Sequence, residues 1–74
     1  MGFSVQTIAI VIDTLLDALA QAIADNRTFR IRYNQKKLEL LTRRLERNAF
    51  GFSNEDVEWL YNHLKEKQLE YGLL

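Results

Sequence analysis

The segment "NRTFRIRYNQKK", residues 26–37, decides whether the chain is entirely helical or contains a strand. Basic side chains alternate here with Phe29, Ile31 and Tyr33, and such alternation is typical of a half-buried strand. At helical spacing the same segment starts an apolar series that continues beyond it. The positions of that series are Ile31, Asn34, Leu38, Leu41 and Leu45. The unbroken three-and-four spacing favours a helix over about residues 28–48, with a strand over 28–33 as the alternative.

A preceding helix is predicted over about residues 4–24, and its apolar surface is wide. The polar residues of this segment gather in an arc of roughly 120°, which leaves roughly 200° of apolar surface. One neighbouring helix cannot cover that much surface. The helix is therefore expected either to lie between two others or to pair with a second copy of the chain. The residues expected at this core or oligomer seam are Ile8, Ile12, Leu15 and Leu19.

Two helix starts and one helix stop have recognisable capping residues. Thr28 is the predicted N-cap of the second helix, and Ser53 is that of a third helix over about residues 54–71. Gly51 marks the turn before the third helix, and Gly72 is placed to end it. The apolar stripe of the third helix consists of Val57, Leu60, Tyr61, Leu64 and Tyr71. The expected fold is an all-α, single-domain three-helix bundle over residues 1–74.

The small size of the chain favours self-association. Its 74 residues include no cysteine for disulfides and one histidine, too few for a structural zinc site. A homodimer or small oligomer is therefore expected. The lack of cysteine and of a basic N-terminal segment suggests a cytoplasmic location. A membrane role is disfavoured because Asp13 and Asp17 lie in the middle of the most apolar segment.

No residue pattern identifies a reaction, a metal or a cofactor. Asp13 and Asp17 lie one helical turn apart, but two carboxylates without a histidine are most simply a solvated polar face. His63, with Glu66 three residues on, reads as an ordinary surface histidine. There is no glycine-rich phosphate loop. The sequence therefore predicts a non-enzymatic protein with no cofactor.

The formal net charge of zero is a cancellation between segments. Residues 1–25 carry three acids and no base, giving −3; residues 26–48 carry eight bases against two acids, giving +6; residues 49–74 carry five acids against two bases, giving −3. On a helix, the central basic residues cover an arc of roughly 160° opposite the leucine stripe, with Phe29, Tyr33 and Leu40 near its centre. The basic residues of the arc are Arg30, Arg32, Lys36, Lys37, Arg43, Arg44 and Arg47.

These patterns lead to two functional hypotheses and one simpler interpretation. The first hypothesis is a self-associating module that binds a protein partner, with outward-facing Trp59 as a further contact residue. The alternative is a nucleic-acid-binding protein that uses the basic central helix, residues 27–47. The simpler interpretation has Phe29, Tyr33 and Leu40 packed on a neighbouring helix, while the basic side chains lie over the acidic helices.

Overall fold

The computed structural model describes residues 3–74 and consists of three helices joined by short connections. Helix α1 spans Val5–Ala24, α2 spans Thr28–Glu46 and α3 spans Asn54–Glu70. No strand occurs in the described part of the chain. The predicted all-α three-helix architecture is confirmed, and residues 28–33 belong to α2 from its first turn. The three-and-four spacing therefore outweighed the local alternation.

Helix α1 lies between the other two helices. It packs against both α2 and α3, whereas α2 and α3 meet each other only weakly. The residues Ile8, Ile12, Leu15 and Leu19, expected at a core or oligomer seam, are all buried between helices of the same chain. The hydrophobic core consists of Ile8, Ala9, Ile12, Leu15, Leu16, Leu41, Leu45, Leu60 and Leu64. The wide apolar surface of α1 is thus covered by two neighbours.

All three helices end in the same way, with a residue in the left-handed conformation. Asn26, Asn48 and Gly72 have φ values of 54°, 49° and 71°. In each case the next backbone N–H donates to a carbonyl five residues earlier, as in a Schellman motif. The prediction for Gly72 is confirmed. The predicted end of α2 at residue 48 was two residues too late, because Asn48 already lies in the turn.

The helix starts differ in how they are capped. The hydroxyl of Ser4 accepts a hydrogen bond from the backbone N–H of Thr7, and that of Ser53 accepts from Asp56, which confirms the Ser53 prediction. The prediction of Thr28 as N-cap is wrong. Thr28 is already the first helical residue, and Arg27, at the N-cap, makes no side-chain capping bond. The connection between α1 and α2 is residues 25–27, so α2 begins one residue earlier than predicted and the N-cap position falls on Arg27.

The α2–α3 connection is held by an asparagine and a cluster of phenylalanines. The Asn48 side chain donates to the Phe52 carbonyl at 2.9 Å and accepts from the Phe52 backbone N–H at 3.0 Å. The Phe50 ring stacks on Phe52, with 5.5 Å between centroids, and meets the edge of Phe3 at 5.9 Å. Gly51, between them, has a φ of 70°, as its predicted turn requires. These contacts fix where α3 begins relative to α1.

Helix α1 is also long and apolar enough to cross a membrane by length and composition, with a mean hydropathy of 1.7 over its most apolar window. A core helix of a globular protein meets the same criterion, and 39% of that window is buried by the other helices. Asp13 and Asp17 lie near the middle of the helix. Packing of α1 between α2 and α3 accounts for its buried apolar residues, whereas Ile10, Val11 and Ile23 remain 64%, 44% and 46% exposed.

Leu16 and Ile10 provide a direct test of which side of α1 forms the core. Leu16 is fully buried, whereas Ile10 is 64% exposed. We expect Leu16→Ala to lower the free energy of unfolding by about 2–5 kcal/mol, because it leaves a cavity. The matched Ile10→Ala variant should change it by less than about 0.5 kcal/mol. Urea unfolding followed by circular dichroism measures both values, and equal losses would contradict the assignment of the core.

Asn26 and Asn48 form a second matched pair, since both have a positive φ but only the Asn48 side chain bonds to the described part of the chain. Glycine tolerates this conformation, so Asn26→Gly should change stability by at most about 1 kcal/mol. Asn48→Gly loses two hydrogen bonds and should be less stable than Asn26→Gly by about 1–3 kcal/mol. Thermal unfolding of the two variants, compared with wild type, measures this difference.

Candidate binding surfaces

The outer side of α2 carries a continuous basic surface, which we call the basic face. Every residue predicted for it is exposed, including Phe29, whose side chain is the most exposed of the large hydrophobic residues at 83%. The aromatic and aliphatic residues near its centre therefore do not pack on a neighbouring helix. The basic face consists of Phe29, Arg30, Arg32, Tyr33, Lys36, Lys37, Leu40, Arg43, Arg44 and Arg47.

The basic face makes no close ion pair with the acidic helices. Within residues 3–74, the ion pairs of α2 are both internal to that helix: Glu39 pairs with Arg43 at 2.7 Å and with Lys36 at 4.0 Å. No basic side chain of the face pairs with α1 or α3 in the described structure. Arg30, at the edge of the face, lines a small cavity together with Asp25 at the end of α1. The simpler interpretation, in which the basic side chains lie over the acidic helices of the same chain, therefore describes the edge of the face but not its centre.

One basic side chain of the face lies over an aromatic ring. The Lys37 ammonium is 4.5 Å from the centroid of the Tyr33 ring, a distance typical of a cation–π contact. This contact keeps a charge and a flat ring side by side at the surface. The arrangement offers a partner both a cation and an aromatic surface for packing.

Trp59 presents a second exposed aromatic surface, on α3. Its side chain is 49% exposed, as expected for a position opposite the apolar stripe of α3. The indole stacks on His63, with 5.1 Å between ring centroids and 10° between ring planes. Glu55, Glu66 and Glu70 are exposed on the same side of α3. Trp59 is thus an oriented aromatic residue within an acidic surface.

The position of His63 depends on α1. Its Nε2 lies 2.8 Å from Asp13 Oδ1, and the His63 side chain is largely covered, with 18% exposed. The interpretations of Asp13 as a purely solvated residue and of His63 as an ordinary surface histidine were therefore incomplete. The two residues are 50 positions apart, so no local spacing could reveal the pair. Asp13 orients His63, and His63 supports the Trp59 ring.

The side chains of Asp13 and Asp17, one helical turn apart on α1, make separate contacts. Asp13 contacts His63, and Asp17 accepts a hydrogen bond from the Gln21 side chain at 3.1 Å. Residues 3–74 contain no group of three or more histidine, cysteine or acidic side chains placed to hold a metal ion.

Two pKa shifts describe groups close to these surfaces. The hydrogen bond from Lys67 to Glu70, together with the charge of that carboxylate, raises the pKa of Lys67, so this lysine stays protonated beside the acidic surface. Burial, and to a smaller extent the Glu46 carboxylate, raises the pKa of Tyr61, so its hydroxyl stays neutral between the helices. Neither group is a source of chemistry at neutral pH.

A third surface lies between α1 and α2. Ile10 and Val11 of α1 are 64% and 44% exposed, and they line an open groove of about 310 Å³ together with Lys37 and Asn34 of α2. Neither Ile10 nor Val11 was among the residues that the sequence predicted for the core or oligomer seam. The groove therefore presents two exposed apolar side chains of α1 next to the basic face.

Comparison with known proteins gave no relative from which a role could be transferred, because no family model, curated protein or solved structure matches this chain.

The contacts of His63 predict that the order of the Trp59 ring depends on α1. His63→Ala should reduce the near-ultraviolet circular dichroism and the fluorescence anisotropy of Trp59, because the stacking partner is lost. Asp13→Ala should change both signals in the same direction, although it alters a different helix. Asn62→Ala, an exposed neighbour on α3, serves as the matched control. Trp59 signals unaffected by Asp13→Ala would show that Asp13 does not position the pair.

Proposed function

We propose that this protein is a non-enzymatic, self-associating interaction module that binds an acidic protein surface through its basic face. The observation that carries this proposal is the exposure of that face and the absence of close ion pairs between it and the acidic helices within residues 3–74. Seven arginine and lysine side chains surround Phe29, Tyr33 and Leu40, and the face makes no ion pair with the acidic helices of the described chain. A charge of +6 on one segment is complementary to an acidic partner.

The composition of the face supports a protein contact. Arginine and aromatic residues are enriched at protein interfaces, and the aromatic side chains supply large contact areas with few rotatable bonds. Phe29, Tyr33 and Leu40 provide apolar area that an acidic surface with its own apolar residues would cover. Asp13 and His63, the acid–base pair that the fold brings together, serve here to position Trp59. A cytoplasmic location belongs to the same proposal.

Nucleic-acid binding is the second candidate function, and the Lys37–Tyr33 pair is the observation that favours it. Proteins that bind single strands combine a cationic surface with aromatic side chains on which bases stack. The face provides both features along the length of α2. The two candidates differ in how strongly salt weakens binding, because nucleic acids release condensed counterions.

Replacing Arg43, Arg44 and Arg47 with glutamine should weaken binding of a fluorescein-labelled polyglutamate peptide while the helices stay intact. Exposed ion pairs of about 0.2–1 kcal/mol each imply a loss of roughly 3- to 150-fold for three positions. The matched control replaces Arg27, Lys65 and Lys67, which lie outside the face, and should bind like wild type. Fluorescence anisotropy measures the affinity, and circular dichroism checks the fold.

A labelled single-stranded oligonucleotide, titrated under the same conditions, separates the two candidates. Tighter binding of the oligonucleotide, with an affinity that falls steeply from low to physiological salt, would favour the nucleic-acid function. Equal binding of the peptide by both triple variants would exclude the basic face as its site.

A further inference from the structure

We infer that the acidic partner of the basic face is the exposed side of α3 in a second copy of this chain. This inference rests on the proposed function and names its partner. We call the α3 surface the acidic stripe; it consists of Glu55, Trp59, Glu66 and Glu70. The charge of the two surfaces is opposite, and each is exposed in the structure.

The first argument is that the charges are balanced between helices without being paired inside the chain. The segment charges of −3, +6 and −3 sum to zero, yet the cations of the basic face make no ion pair with α1 or α3 within residues 3–74. In a second copy of the chain, the acidic stripe provides carboxylates with which these cations can pair. The weak exposed pairs of Glu39 and Lys67 can exchange for intermolecular pairs at little cost.

The second argument is the spacing of the charges along the two helices. Glu55, Glu66 and Glu70 are separated by intervals of 11 and 4 residues. Arg32, Arg43 and Arg47 are separated by the same intervals in the same order. With a rise of about 1.5 Å per residue, both series extend for about 22 Å and rotate about the helix axis by the same amount. The charges of the two helices therefore lie at matching heights.

Lys36 allows the spacing of the basic residues to match that of the three glutamates whether the two helices run parallel or antiparallel. It lies four residues after Arg32, so the series of Arg32, Lys36, Arg43 and Arg47 has the same intervals when read from either end. The acidic stripe can thus align with the basic face in a parallel or an antiparallel direction. In both alignments each glutamate of the stripe lies level with a basic residue.

Trp59 supplies the apolar centre of this contact. In either alignment it lies within about 4–6 Å of the height of Leu40, given a rise of about 1.5 Å per residue. Leu40 is 43% exposed and Trp59 is 49% exposed, so each has apolar surface left to bury. Stacking on His63 orients the indole before any contact forms, which lowers the entropy cost of association.

Because the two surfaces lie on different helices, each copy presents both halves of the contact. Two copies form a closed dimer if the basic face of each contacts the acidic stripe of the other. Otherwise the contact repeats head to tail along a chain of molecules.

Charge-reversed variants test this inference. The first replaces Arg32, Arg43 and Arg47 with glutamate, and the second replaces Glu55, Glu66 and Glu70 with lysine. Sedimentation velocity should show wild type as an oligomer and each variant alone as a monomer, because like charges then face each other. All six positions are exposed, so circular dichroism should show unchanged helicity. Trp59→Ala should weaken association by about tenfold or more, as expected for an interface anchor.

An equimolar mixture of the two charge-reversed variants should associate again, because each retains the surface that the other has lost. The matched control reverses Asp17, Asp25 and Glu58, which gives the same change in net charge outside the acidic stripe. This control should still self-associate. This control distinguishes the effect of where the charges lie from the effect of the net charge on self-association.

The alternative outcomes are distinct. A wild-type monomer at all concentrations would overturn the inference and the self-association in the proposed function, while polyglutamate binding to the basic face would still support binding of an acidic protein surface. Oligomers unaffected by either charge reversal would place self-association elsewhere, at the Ile10–Val11 groove for example, and would also overturn it.

Discussion

The apolar surface of α1 is the constraint on which the rest of the structure depends. It extends over too much of the helix for one neighbour, so α2 and α3 both pack on it and bury residues such as Ile12 and Leu16. The backbones of α2 and α3 approach each other at few positions, and the outer sides of both helices remain exposed. The central position of one hydrophobic helix thus determines which charged surfaces remain exposed.

Opposite charges on neighbouring helices do not lead to ion pairs unless the geometry brings them together. Burial of one leucine is worth more than an exposed ion pair, which contributes only about 0–1 kcal/mol. Hydrophobic packing on α1 therefore sets the orientation of α2. Its leucine stripe faces α1, and most of its basic residues consequently face the solvent. Hydrophobic packing of α3 on α1 likewise places the Asp13 and His63 side chains within hydrogen-bonding distance.

Local sequence patterns predicted the helices, the Ser53 cap, the Gly72 stop and the exposure of Trp59 and the basic residues, since periodicity determines which side of a helix faces the core. They did not predict Asn26 and Asn48 as the ends of helices, because asparagine in a left-handed conformation has no distinctive local pattern beyond its own identity. The Asp13–His63 contact was also missed. It depends on how two helices are aligned, which a single sequence without homologues does not reveal.

The single hydrophobic core also affects how the molecule opens. Its buried residues come from all three helices and include Leu45 of α2 and Leu60 of α3, so removing either helix from α1 exposes part of one shared core. Small single domains of this kind unfold as one cooperative unit. The slowest backbone amides of the three helices are then expected to exchange through the same global opening, and a ligand bound to α2 would slow that exchange in α3 as well.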